Sequence, residues 1–87
     1  MSLYTARRIA MSKSVKKLLL KLFDLCIEAS KTCNYFINCD YTASCDRYSV
    51  FAYDKETDEQ IPITISEEVS FKNIKRTKRK ILKMMEE

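Results

Sequence analysis

The sequence contains no glycine, no histidine and no tryptophan, and Pro62 is its single proline. Without glycine, a phosphate-cradling Gly-rich loop is excluded. Tight two-residue hairpin turns also lose their usual residue. Turns fall to Asn, Asp, Ser and Thr, which favours loops of several residues. Without histidine, neither a Ser–His nor a Cys–His catalytic pair can form, and a zinc site loses its nitrogen ligand. Long apolar runs are lacking too. The run Leu18-Leu19-Leu20 is broken at Lys21 and Asp24, and no window approaches the ~20 apolar residues of a membrane span. The stretch from Lys13 to Ile27 is basic then apolar, like a signal sequence. It has no small-residue cleavage site and carries on as an amphipathic helix. The expectation is a cytoplasmic, intracellular chain with no membrane span.

What is present fits one small domain of 87 residues, 46% hydrophobic and 10% aromatic. A chain this short buries about 60–65% of the surface its unfolded form exposes, so a partner subunit is a natural expectation. Net charge is +4 but segregated: +5 over 1–31, −1 over 32–53, −5 over 54–68 and +5 over 69–87. Such segregation suits nucleic acid, an acidic protein surface, or complementarity between the two halves of the chain.

Cys26, Cys33, Cys39 and Cys45 stand seven, six and six apart. No CxxC pair exists, so a metal site is not expected, and in an intracellular chain buried free thiols are. Asp54, Glu56 and Asp58 match the first three ligand positions of a calcium loop. Glu59 and Ile65 then stand where the glycine and the closing acid belong, so the reading is a solvated hairpin loop. Cys45 beside Asp46 and Arg47 is a weak signal for a lowered thiol pKa. Neither a catalytic residue nor a cofactor is expected.

The pattern predicts α-β-β-β-α, an α+β fold with a three-stranded antiparallel meander and both helices on one face. Residues 1–12 form an N-terminal extension or the start of a helix, and 13–87 form the domain. The first helix spans about Lys13–Lys31, capped by Ser12 or Ser14. Its apolar arc of roughly 220° is far wider than the 100° or so of an ordinary surface helix. Leu20, Phe23 and Ile27 lie at the edge of that arc and are the expected interface of a homo- or heterodimer with a similar subunit. Residues 33–41 alternate as a strand with Cys33, Tyr35, Ile37, Cys39 and Tyr41 on one face. After a turn at Thr42–Asp46, residues 47–54 form a second strand with Tyr48, Val50 and Ala52 inward. Ile61, Ile63 and Ile65 alternate in a third, and Pro62 places that strand at an edge. Ser66 is expected to end it and open the last helix, with Glu67 and Glu68 in the first turn.

Over residues 66–87, Phe71, Ile74, Ile81, Leu82 and Met85 form an apolar stripe. Lys78 sits within that stripe and is expected to snorkel to solvent, the alternative being that it faces an acid on a partner. Lys72, Lys75, Arg76, Arg79, Lys80 and Lys83 form a basic arc of roughly 140° at 100° per residue. Arg7, Arg8, Lys13, Lys16 and Lys17 extend it if the helices lie side by side. The expected partner is RNA or another polyanion. The open sheet face is expected to carry Phe36, Phe51 and Tyr53, which could stack on bases. Asn34, Asn38, Ser49 and Thr64 are expected there as well, with Arg47 as the sole cation. The competing reading is a protein-interaction module, an inhibitor or accessory subunit, using the basic helix and the apolar face of the first.

Leu22-Phe23-x-x-Cys26, Tyr35-x-Ile37 with Asp40, Thr64-Ile65-Ser66-Glu67-Glu68-Val69 running into Phe71, and Ile81-Leu82 resemble the small Alu-domain subunits of the signal recognition particle, more the larger of the two. The resemblance extends over most of the chain in the same element order. It implies two similar subunits joined into one curved sheet, helices behind, with RNA on the open face. The chain departs from that family between the first two strands, where Thr42–Asp46 replaces a long basic, glycine-containing loop.

Overall fold

The computed structural model describes residues 11–87. Helix α1 spans Lys13–Thr32. Ser12 caps it, accepting from the Val15 amide at 3.2 Å, which satisfies one of the unpaired first-turn donors. Leu19, Leu22, Cys26 and Ala29 form its buried face. Ala29 has no bulk beyond Cβ, which lets the helix approach the sheet there. Cys33 ends the helix as a cap, its amide bonded to the Ala29 carbonyl at 2.9 Å, so the first strand starts two residues later than the alternation suggested.

Strands β1 (Tyr35–Thr42) and β2 (Arg47–Asp54) pair antiparallel without a slip from Tyr35↔Asp54 to Thr42↔Arg47. The turn between them needs a left-handed residue, and with no glycine in the chain Asp46 takes it at φ 55°. Asp is among the few residues that tolerate this region. The β2–β3 loop is folded by Asp54, whose carboxylate accepts from the Glu56 and Thr57 amides at 2.8 and 3.1 Å.

Strand β3 runs Gln60–Glu68 and pairs with β2, giving sheet order β1-β2-β3. Pro62 therefore does sit in an edge strand. The register shifts between Tyr48 and Phe51, and this bulge changes the phase of β3. Ile63 and Thr64 are both buried, while Ile65 is 64% exposed. Thr64 is thus absent from the open face, where Ile65 stands instead. Ser66 takes φ 43° but the strand continues past it, so Glu67 and Glu68 pair with Tyr48 and Arg47 rather than entering a helix.

Helix α2 spans Phe71–Met85, with Ser70 as its cap and no acid in its first turn. It buries Ile74, Thr77 and Ile81. Phe71 and Leu82, expected in the stripe, stay exposed, and Lys78 is exposed as snorkelling requires. Both helices lie on one face of the sheet, α1 against β1, α2 against β3, and each against the other. Between the layers Tyr48, Val50, Ala52, Ile37 and Ile63 meet the buried residues of both helices. No helix among the described residues is long and apolar enough to cross a membrane.

Candidate nucleic-acid interface

Burying Ile74, Thr77 and Ile81 turns the opposite side of α2 to solvent. Lys72, Lys75, Arg79 and Lys83 are exposed there and make no ion pair among the described residues. Arg76 and Lys80 are engaged differently. Arg76 reaches Glu67 of β3 at 3.8 Å, and the Lys80 ammonium donates to the Ile63 carbonyl at 3.1 Å. Of the six cations read from the sequence, the structure leaves four unpaired and ties two to β3. From Lys72 to Lys83 the stripe is about 16 Å long at 1.5 Å per residue, and it carries no acid.

The first helix adds cations unequally. Lys16 lines a groove with Leu20, Phe23 and Tyr41 on the β1 side, which turns it away from α2. Lys17 and Lys21 share the outer surface with Leu20 and Asp24. Lys13 is exposed at the first turn of α1. Lys31 pairs with Glu28 at 3.6 Å. Arg7 and Arg8 lie outside the described residues.

On the open sheet face Phe36 stands opposite Tyr53, and Phe51 opposite both Asn38 and Pro62. Phe36 is 54% exposed, and Phe51 and Tyr53 are half-buried. Arg47 is not available as a phosphate contact in this arrangement, because its guanidinium clamps the left-handed Ser66, with Nε donating to the carbonyl at 2.8 Å. Among the described residues a cation that does reach this face is Lys55, 4.9 Å from the Phe36 ring centroid and bonded to the Ser30 carbonyl at 2.7 Å. Sequence spacing gave no sign of it, since the turn at Asp54 brings Lys55 back over the first strand.

Leu20 and Ile27 are 53% and 57% exposed, while Phe23 between them is partly covered by the core. All three lie on the flank of α1 beside β1. On the opposite flank, Leu18 and Leu25 are partly buried against the core. The wide apolar arc is therefore covered on one side only.

Two tyrosines near these surfaces have raised pKa values. The Glu87 carboxylate accepts a 2.8 Å hydrogen bond from the Tyr35 hydroxyl and holds the phenol neutral. Burial does the same for Tyr48. Among the described residues no cluster of Cys, Asp and Glu could hold a metal ion. Comparison with known proteins found no match to a family model, a curated protein or a solved structure.

Proposed function

We propose that the chain is a non-enzymatic nucleic-acid-binding subunit, with RNA as the expected ligand, which grips a phosphate backbone through α2 and associates through the α1 flank with a second subunit of similar kind. The observation that carries this reading is the unpaired set Lys72, Lys75, Arg79 and Lys83 on one exposed helix face. Lysine and arginine without a base-reading frame position a backbone rather than read a sequence. The likeness to the Alu-domain subunits supports RNA over DNA and a paired subunit over a lone one.

A fluorescence-anisotropy titration of labelled RNA against salt tests it. Four neutralised phosphates give a log–log slope of roughly −3 to −4 per chain. Reversing Lys75 and Arg79 together to Glu should abolish binding with the fold intact, since both side chains face solvent. If that variant binds normally while Phe36→Ala/Phe51→Ala fails, the sheet is the site and the assignment to α2 is wrong.

The second reading, an inhibitor or accessory subunit whose α2 meets an acidic protein, rests on Leu82, which is 41% exposed beside the cationic stripe. Partly desolvated apolar anchors beside charge are typical of protein interfaces. Failure of both RNA and DNA to bind at low salt would select it.

A further inference from the structure

Cys26 projects from the core face of α1 and is only 2% exposed, and Cys39 projects from the core face of β1, half-buried. Their alignment is fixed by a neighbour. The Ser30 hydroxyl donates to the Cys26 carbonyl at 2.7 Å and accepts from the Ile37 amide at 2.7 Å. One helical turn back from Ser30 is about 6 Å along α1, which reaches Cys26. Two residues on from Ile37 is about 6.6 Å along β1, which reaches Cys39. The helix returns into the strand through Cys33 and Asn34, so the two steps run the same way and bring the side chains together. Each thiol is the neighbour that most perturbs the other's titration. Cys33 and Cys45 instead donate to the Tyr35 and Thr42 carbonyls.

We propose that Cys26 and Cys39 are a disulfide-forming pair, oxidised by a low-molecular-weight disulfide such as oxidised glutathione, and that the bond locks α1 onto β1. Cys39 is the more accessible sulfur. Its thiolate attacks the reagent disulfide, one glutathione thiolate leaves, and a mixed disulfide remains on Cys39. The Cys26 thiolate then attacks the Cys39 sulfur and expels the second glutathione. The protein loses two electrons and two protons, the reagent gains the electrons, and both protons end on glutathione thiols. In the reduced pair the Cys39 thiol is held above its ordinary pKa by its neighbour Cys26 and by burial, which slows the first step, whereas the second is intramolecular because Cys26 already stands beside the sulfur it attacks. The bond would fasten the helix beside Ile27, at the end of the segment that bears Leu20, Phe23 and Ile27. This inference does not depend on the nucleic-acid reading.

The test uses the reduced full-length protein incubated with excess oxidised glutathione, then unfolded, alkylated and weighed. The expected product has lost two hydrogens at Cys26 and Cys39, carries alkyl groups at Cys33 and Cys45 or a glutathione in place of the alkyl group at the exposed Cys45, and yields a Cys26–Cys39 linked peptide. It should melt at higher temperature than the reduced protein, with the difference erased by dithiothreitol. Cys33→Ala/Cys45→Ala should lose the same two hydrogens, and Cys26→Ser should stop at a glutathione adduct on Cys39. The proposal is overturned if Cys33→Ala/Cys45→Ala keeps both thiols alkylatable or ends with two glutathiones. It is equally overturned if the wild-type linkage maps to Cys33 or Cys45, a result that needs no variant to fold.

Discussion

Thr77 is the residue on which the position of the basic helix depends. It lies in the run Lys75-Arg76-Thr77-Lys78-Arg79-Lys80, yet its side chain is buried, with its hydroxyl 2.8 Å from the Tyr48 hydroxyl and 2.6 Å from that of Thr64. It also donates to the Asn73 carbonyl at 3.1 Å. One hydroxyl thus ties α2 to both β2 and β3, and no buried side-chain polar atom among the described residues lacks a partner. Thr77→Val keeps the shape but strips Tyr48 and Thr64 of a shared partner, which should cost about 1–3 kcal/mol. Urea denaturation measures it, and the triple change Tyr48→Phe/Thr64→Val/Thr77→Val should recover most of the loss because no orphan hydroxyl remains. Tyr48 also gives the alkaline limit of stability. Its folded pKa is raised by burial, so its contribution is complete below the unfolded value of about 10 and is lost as pH rises beyond it. Tyr35, raised by its bond to Glu87, has the same sign. Thermal melts from neutral to strongly alkaline pH should show stability falling above about pH 10, less steeply in Tyr48→Phe. An equal fall in that variant would show that other groups set the alkaline limit.

At the scale of elements, periodicity revealed where each helix and strand lies, and the local backbone decided where each one ends. The alternation of Tyr48, Val50 and Ala52 was legible because β2 is central and buries every second residue. The β3 pattern was not, because the bulge that flips Ile65 outward lies in the pairing with β2 and has no trace in the spacing of Ile61, Ile63 and Ile65. Likewise Ser66-Glu67-Glu68 has the composition of a helix start, but Ser66 is held at φ 43° by Arg47 and the Ser49 hydroxyl. The stop signal is thus a contact between β2 and β3, and the true cap is Ser70, which accepts from the Asn73 amide at 3.2 Å. The same reason hid part of the site. Six cations were visible on one face, but the diversion of Arg76 and Lys80 onto β3 is tertiary. Two substitutions separate the candidate caps. Ser70→Ala should cost about 1 kcal/mol and fray α2. Ser66→Gly removes the left-handed penalty and should be neutral or stabilising by up to about 1 kcal/mol. The reverse ranking in chemical denaturation would mean that the helix starts at Ser66.

At the scale of the whole molecule, the helical layer is cationic and the acids are drawn into the β2–β3 hairpin, from Asp54 to Glu59, and the end of β3. Only Glu67 of that acidic set pairs with α2 among the described residues, so the two charged regions do not cancel within the fold. The uncovered apolar flank lies on the other helix, and this separation makes association and polyanion binding independently testable. Leu20 and Ile27 stand two turns apart, about 10 Å along α1, with Phe23 between and Tyr41 and Phe36 of β1 nearby. Pairing two such flanks would place two α2 stripes on one particle. If each stripe neutralises four phosphates, the dimer's salt slope should be roughly −6 to −7, against −3 to −4 for one chain. Leu20→Asp/Ile27→Asp replaces two exposed side chains and leaves every residue of α2 unchanged, so the fold should persist while sedimentation equilibrium shows the dimer lost. The slope should then halve without any change in the charge of α2. A wild-type protein that stays monomeric at high micromolar concentration would sink self-association through this flank. A dimer whose salt slope is unaltered by Leu20→Asp/Ile27→Asp would instead place the phosphate contacts of only one chain on the nucleic acid.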